Sequence, residues 1–180
     1  VDDGSTDDTE SLIKEYVAEH KIDIRYFQQP NGGKHRAINH GVREARGDLF
    51  FIVDSDDYLT DNAIEWMAAE WEKIKDDESF AGVSGIRITP DGKRIGGDGN
   101  WKVLDCTPSE LRLVHKVKGD MSEAWRTETL KQFPFPEIDG ERFCPEDLVW
   151  NRISAARLKV RFANKGIYVC EYLPDGLTAS

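Results

Sequence analysis

The chain has 180 residues, 39% of them hydrophobic and 32% charged, with a formal net charge of −10. That is enough for one globular domain with a real core and too balanced for a disordered chain, while the acid excess excludes a nucleic-acid-binding face built from Lys and Arg. No apolar run approaches the ~20 residues a membrane helix needs, and three scattered cysteines, Cys106, Cys144 and Cys170, read as buried thiols of a reducing, cytoplasmic protein rather than a disulfide or zinc framework.

Val1-Asp2-Asp3-Gly4 reads as the end of a strand running into a turn, so a first strand and helix are expected upstream. Caps and acids at Ser5 to Thr9 start a helix whose inner face is Leu12, Ile13, Tyr16 and Val17. Ile22, Ile24 and Tyr26 alternate as a short strand. The loop signal Pro30-Asn31-Gly32-Gly33 precedes a second helix carrying Ala37, Ile38, Gly41, Val42 and Ala45. Leu49 to Val53 is a continuous apolar run, the pattern of a strand covered on both faces. A third helix, capped by Asp61, presents Ile64, Met67, Ala68, Trp71 and Ile74 inward, and Val83 to Ile88 is a further strand. Beyond a turn at Pro90-Asp91-Gly92 the pattern loosens. Short helices are expected at Pro108 to Val114, capped by Thr107, and at Thr127 to Phe133. A firmer helix runs from Glu146 to Ala156, and strands at Val160 to Phe162 and Ile167 to Tyr172 close the chain. Alternating strands and helices predict an α/β fold with a mostly parallel sheet flanked by helices. The reading is a single domain over residues 1–180, with a regular part at 1–90 and an irregular part at 91–180.

Asp2 and Asp3 end one expected strand, and Asp54, Asp56 and Asp57 end another. Ends of parallel strands share the carboxyl edge, where ligands of open α/β sheets bind. Three acids in four residues repel one another and call for a positive partner. Mg²⁺ or Mn²⁺, held by Asp54 and Asp56 and completed by water and phosphate, would supply it. The plainer alternative is a solvated turn. Lys34 and Arg36 can meet a phosphate at a helix start or sit at the surface. His35 and His115 have no pairing pattern and are expected at the surface or hydrogen-bonded. Trp101 and Trp125 suit either a sugar ring or the core.

VDDGSTDDT at residues 1–9, NGGKHRAINHGVREARGD at 31–48 and FFIVDSDD at 50–57 together resemble the family 2 glycosyltransferases, which have the GT-A fold. The resemblance is firm over about the first 60 residues. It implies an inverting enzyme that moves a sugar from a nucleotide-diphospho-sugar, UDP-linked, to an acceptor hydroxyl on a carbohydrate or lipid-linked acceptor, with no nucleic acid involved and peripheral membrane contact left open. It places Asp2, Asp3, Lys34, Asn39, Asp54 and Ser55 against the sugar nucleotide and Asp56 with Asp54 on the metal. Pro145-Glu146-Asp147 matches the family's acidic pair, with Asp147 favoured over Glu146 as catalytic base. The same three residues are also ordinary helix-start chemistry. A nucleotidyltransferase of similar core and a non-catalytic sugar-nucleotide-binding domain are the alternatives.

Overall fold

Local sequence explains most of the helices. The computed structural model describes residues 1–97 and 99–170. It opens with α1 (Thr9–Glu19) and α2 (Lys34–Glu44). α2 starts after Gly33, whose φ of +96° is a conformation that glycine adopts without strain. Its His35, Ile38, Asn39 and Val42 are buried, at the spacing of one helical face. α1 differs from expectation: none of its residues is buried, and Leu12, Tyr16 and Val17 are exposed. Ile22 to Tyr26 forms no strand; the backbone there meets Asp2 through a single parallel bridge at Gln28.

β1 (Leu49–Phe51) and β2 (Tyr58–Leu59) flank the acidic turn. α3 (Ala63–Glu72) buries Ala63, Met67 and Trp71, four residues apart. Its N-cap is Asn62, with no side-chain capping bond, so Asp61 does not cap it, and Ile64 faces outward. β3 (Phe80–Ile88) is buried over its first seven residues, and β4 (Val103–Cys106) follows. α4 (Pro108–Leu113) has the expected cap in full. Thr107 Oγ1 accepts from the Glu110 amide at 3.2 Å, and the Glu110 carboxylate accepts from the Thr107 amide at 2.9 Å. Then come β5 (Met121–Arg126), α5 (Thr127–Gln132), α6 (Asp147–Ala155) and β6 (Lys159–Val169).

The six strands form one sheet in the order β1-β5-β3-β6-β2, with β4 also on β6. The expectation of a mostly parallel sheet needs correction, because only β3 and β6 pair in parallel, and the other four pairings are antiparallel. Two of the four come from β5, which was not expected as a strand and which returns between β1 and β3, and the other two from β2 and β4 on β6. On β5, Met121, Glu123 and Trp125 face one side while Ser122, Ala124 and Arg126 face the other, and small and charged residues on both faces mask the alternation. β1, β3 and β6 still run in one direction, so the carboxyl edge survives as a place where loops gather. β1 is shorter than the apolar run and only half-buried because it lies at the end of the strand order. The two closing strands expected from sequence are one strand, β6, whose pairing with β3 slips between Ser84 and Ile86. Tyr172 lies outside the described residues.

Each face of the sheet carries a core. One side packs Ile38, Leu111, Trp125, Val149, Trp150, Ile153 and Phe162, drawn from α2, α4 and α6 as well as the strands. The other packs Met67, Trp71, Val83, Ile167 and Tyr168 beneath α3. Trp125 and Trp150 stack with ring centroids 4.3 Å apart, which fixes α6 over β5. Arg126, on the opposite face, donates to the carbonyls of Phe80 and Lys75 and lies 4.5 Å over the Trp71 ring, tying β5 to the loop after α3. Among the described residues no helix is long and apolar enough to cross a membrane.

Candidate active site

The acidic turn is held from below. The Asp57 amide donates to the Asp54 carbonyl at 3.2 Å, closing the turn, and the Asp54 amide donates to the Tyr168 hydroxyl at 2.9 Å. Tyr168 comes from β6, is 1% exposed, and its phenol is pushed well above its usual range by burial. The Asp57 carboxylate accepts from the Cys170 thiol at 3.6 Å. Burial pushes that thiol up to about 11, so it stays protonated and can donate. Ser55 and Asp56 project into solvent.

The positive partner demanded by these acids is Lys34. Its Nζ lies 2.6 Å from Asp54 Oδ1 and 3.0 Å from Glu146 Oε1. Burial alone would lower its pKa, but the bonds to Asp54 and Glu146 outweigh burial and raise it. One half-exposed ammonium thus joins the DSDD turn to the start of α6, regions far apart in the chain. Lys34 is placed there because Asp3 fixes the loop before it. The Asp3 carboxylate accepts from Gln29 Nε2 at 2.8 Å, the Gly32 amide at 3.0 Å and the Gly33 amide at 2.7 Å. Gly33 also allows the chain near Arg142 to approach; a Cβ there would sit 2.0 Å from the Arg142 carbonyl oxygen.

Asp2 is buried and spends its carboxylate inside the fold, accepting from the Tyr26 hydroxyl, the Ser5 amide at 2.7 Å and Gln28 Nε2 at 3.3 Å. The Tyr26 bond, then the Ser5 bond, hold its pKa down to about 2. Asn39 links α2 to the chain at Phe135 and Glu137. It is buried, its Nδ2 donates to the Phe135 carbonyl and to Glu137 Oε1, and its Oδ1 accepts from the Phe135 amide. Arg36 is likewise taken by Glu137 Oε2 at 3.2 Å and the Ile138 carbonyl at 3.0 Å. His35 is buried, not at the surface, and its Nδ1 has no hydrogen-bond partner among the described residues. Trp125 is fully buried in the core and offers no platform to a sugar.

Glu146 and Asp147 are neighbours with different surroundings. Glu146 is engaged by Lys34. Asp147 is exposed and lines a hollow of about 370 Å³ with Glu123, Ser109, Arg112, Trp150 and Asn151. A larger hollow of about 520 Å³ lies between residues 29–32 and 137–142, and none of Asp54, Asp56, Glu146 or Asp147 lines it. Sequence reading missed Glu123 and Trp150. Trp150 lay within the expected helix but off the apolar stripe that was read, and Glu123 lay in the strand that was not recognised.

Asp54 and Asp56 offer hard carboxylate oxygens, and two carboxylates are what a Mg²⁺-type ion takes from protein when phosphates and water complete its shell. Lys34 occupies Oδ1 of Asp54 and leaves Oδ2 available. Among the described residues no group of three or more His, Cys, Asp or Glu is arranged to hold a metal unaided. The two carboxylates are of the chemical type such an ion takes when other ligands complete its shell.

The model of the family described as glycosyl transferase family 2 matches residues 1–119. The chain belongs to that family. The family 2 chain is 39% identical over 186 aligned positions to glycosyltransferase GlyG of Streptococcus pneumoniae, covering 94% of this chain and 58% of GlyG. Among solved structures, TarS residues 1–349 of S. aureus in complex with UDP superposes with a TM-score of 0.71 at 21% identity, covering 96% of this chain and 50% of that one. GalNAc-T7 with UDP, GalNAc and Mn²⁺ superposes with a TM-score of 0.57 at 17% identity, covering 95% of this chain and 37% of that one. The fold is therefore that of the GT-A glycosyltransferases, and the chain spans little more than half the length of GlyG and less of the others.

Proposed function

We propose that this family 2 domain is an inverting glycosyltransferase that moves a sugar from a UDP-linked donor to an acceptor hydroxyl. The observation that carries this reading is the Lys34 ammonium on both Asp54 and Glu146, which brings the DSDD turn and the acidic helix start to one place. The solved neighbours TarS and GalNAc-T7 each hold UDP, which supports a uridine nucleotide here.

The donor diphosphate lies beside Asp54, Ser55 and Lys34, with the lysine contributing positive charge as the leaving group departs. Asp56 with Asp54 would hold Mg²⁺ or Mn²⁺, which supplies Lewis-acid stabilisation of the diphosphate. Asp3 is partly exposed and remains in reach of the nucleoside, whereas Asp2 is enclosed and shapes the turn. Asp147 is the base. Glu146 is already paired with a cation, while the Asp147 carboxylate is exposed and faces the hollow. It takes the proton from the acceptor hydroxyl as that oxygen attacks the anomeric carbon. The carbon–oxygen bond to the diphosphate breaks on the opposite face, UDP leaves, and configuration inverts.

Two substitutions test the assignment. Asp147→Asn lowers kcat about 10²–10⁴-fold in a UDP-release assay and leaves UDP affinity unchanged, as loss of a general base does. Asp56→Asn abolishes Mn²⁺-dependent UDP binding in calorimetry. Full turnover in the first variant, or unchanged affinity in the second, removes the corresponding role.

A further inference from the structure

The hollow beside Asp147 has chemistry of its own. Its polar wall consists of Glu123 from β5, Asp147 and Asn151 from α6, and Ser109 and Arg112 from α4, with the Trp150 indole between them. Arg112 spends Nη1 on the carbonyls of Val117 at 3.0 Å and Gly119 at 2.6 Å, which leaves Nε and Nη2 to offset part of the negative charge of the hollow. Asn151 Oδ1 accepts from Ser109 Oγ at 3.1 Å, which leaves the amide Nδ2 to donate. Glu123 is the unpaired member. It is partly buried, faces the same side of β5 as Trp125, and no other residue hydrogen-bonds to its carboxyl among the described residues. A carboxyl drawn partly out of water gains from a ligand that donates to it.

We propose that Glu123 is a specificity-determining residue that accepts a hydrogen bond from a neutral, hydroxyl-bearing sugar ring seated in this hollow as the acceptor. This rests on the glycosyltransferase reading and names the class of acceptor. A ring hydroxyl supplies the donor that Glu123 lacks, Asn151 offers a donor in return, and the Trp150 indole gives an apolar wall. Glu123 and Asp147 outnumber Arg112 in the lining of the hollow, so a uronate or phosphate is disfavoured in this position. The charged groups acting on Glu123 from the packed elements fit a carboxyl that needs a ligand donor. Burial first and then the charge of Glu146 on the α6 side raise it, Arg87 of β3 and Arg112 of α4 oppose them, and the net result is about 7. Hydroxyl donation favours the ionised form, so binding strengthens as pH rises through 7.

The test is an NMR titration of the ¹⁵N-labelled protein with N-acetylglucosamine and, separately, glucuronic acid, following the Trp150 indole resonance at pH 6 and pH 8. The expected result is a shift with N-acetylglucosamine, a Kd about tenfold lower at pH 8 than at pH 6 because the ionised fraction rises by that factor, and weaker binding of the uronate. Glu123→Gln flattens the pH dependence. Where that variant does not fold, the wild-type titration decides alone. Absence of an N-acetylglucosamine shift, a pH-independent Kd in the wild type, an unaltered pH dependence in Glu123→Gln, or tighter binding of glucuronic acid each overturns the proposal. UDP binding by the wild-type sample reports separately on the glycosyltransferase reading.

Discussion

Replacing Lys34 with Met keeps the length and most of the packing of the side chain while removing the charge that joins Asp54 to Glu146. The ion pairs are short, 2.6 and 3.0 Å, but the lysine side chain is 50% exposed, so water screens them. Half-exposed pairs of this kind contribute up to about 1 kcal/mol each, so up to about 2 kcal/mol for the two. In a domain of this size that lowers the melting temperature by up to roughly 8 °C. The raised pKa of Lys34 sets the alkaline limit: its contribution is full below 10.5 and is lost as pH rises past the higher folded value. Differential scanning fluorimetry of wild type and Lys34→Met at pH 7.5 measures the difference directly. Repeating it in about 1 M salt, where the screening length is ~3 Å, shrinks the gap. Equal melting temperatures at low salt, or a gap indifferent to salt, would refute the idea that this ammonium gathers the two acids.

Two further outcomes follow from backbone and titration. Gly33→Ala places a Cβ 2.0 Å from the Arg142 carbonyl oxygen in a residue held at φ +96°; the conformation alone costs about 1–3 kcal/mol, and the urea midpoint falls accordingly. The pKa of Asp2 is depressed from 3.8 to about 2, so its contribution to stability is present above 3.8 and is lost as pH falls through 2. The stability advantage of wild type over Asp2→Asn in urea titrations therefore narrows across that window; an advantage constant from pH 7 to pH 2 would contradict it.

Short-range chemistry made much of this molecule readable in advance. The Thr107 cap, the Gly33 loop and the stripe of α2 each depend on residues a few positions apart, and each is present. Partners distant in the chain were not readable. Nothing near Asn39 announces that its amide is spent on Phe135, and nothing near Trp125 announces a stacked Trp150. β5 escaped notice because small and charged residues on both of its faces mask the alternation. The need for a cation near Asp54 was legible from repulsion among carboxylates. That Lys34 meets it required the loop geometry Asp3 enforces.

The position of β5 between β1 and β3 also dictates the order of events during biosynthesis. Leu49 waits for Arg126, and Gly82 for Trp125, before either finds its neighbour. Until the ribosome has delivered that stretch, β1 and β3 present bare edges open to wrong pairing. A nascent chain ending before Met121 therefore holds its sheet unfinished, and closure through contacts so distant in sequence is slow. Assembly of the fold is a late step, completed only when β5 and then β6 have arrived.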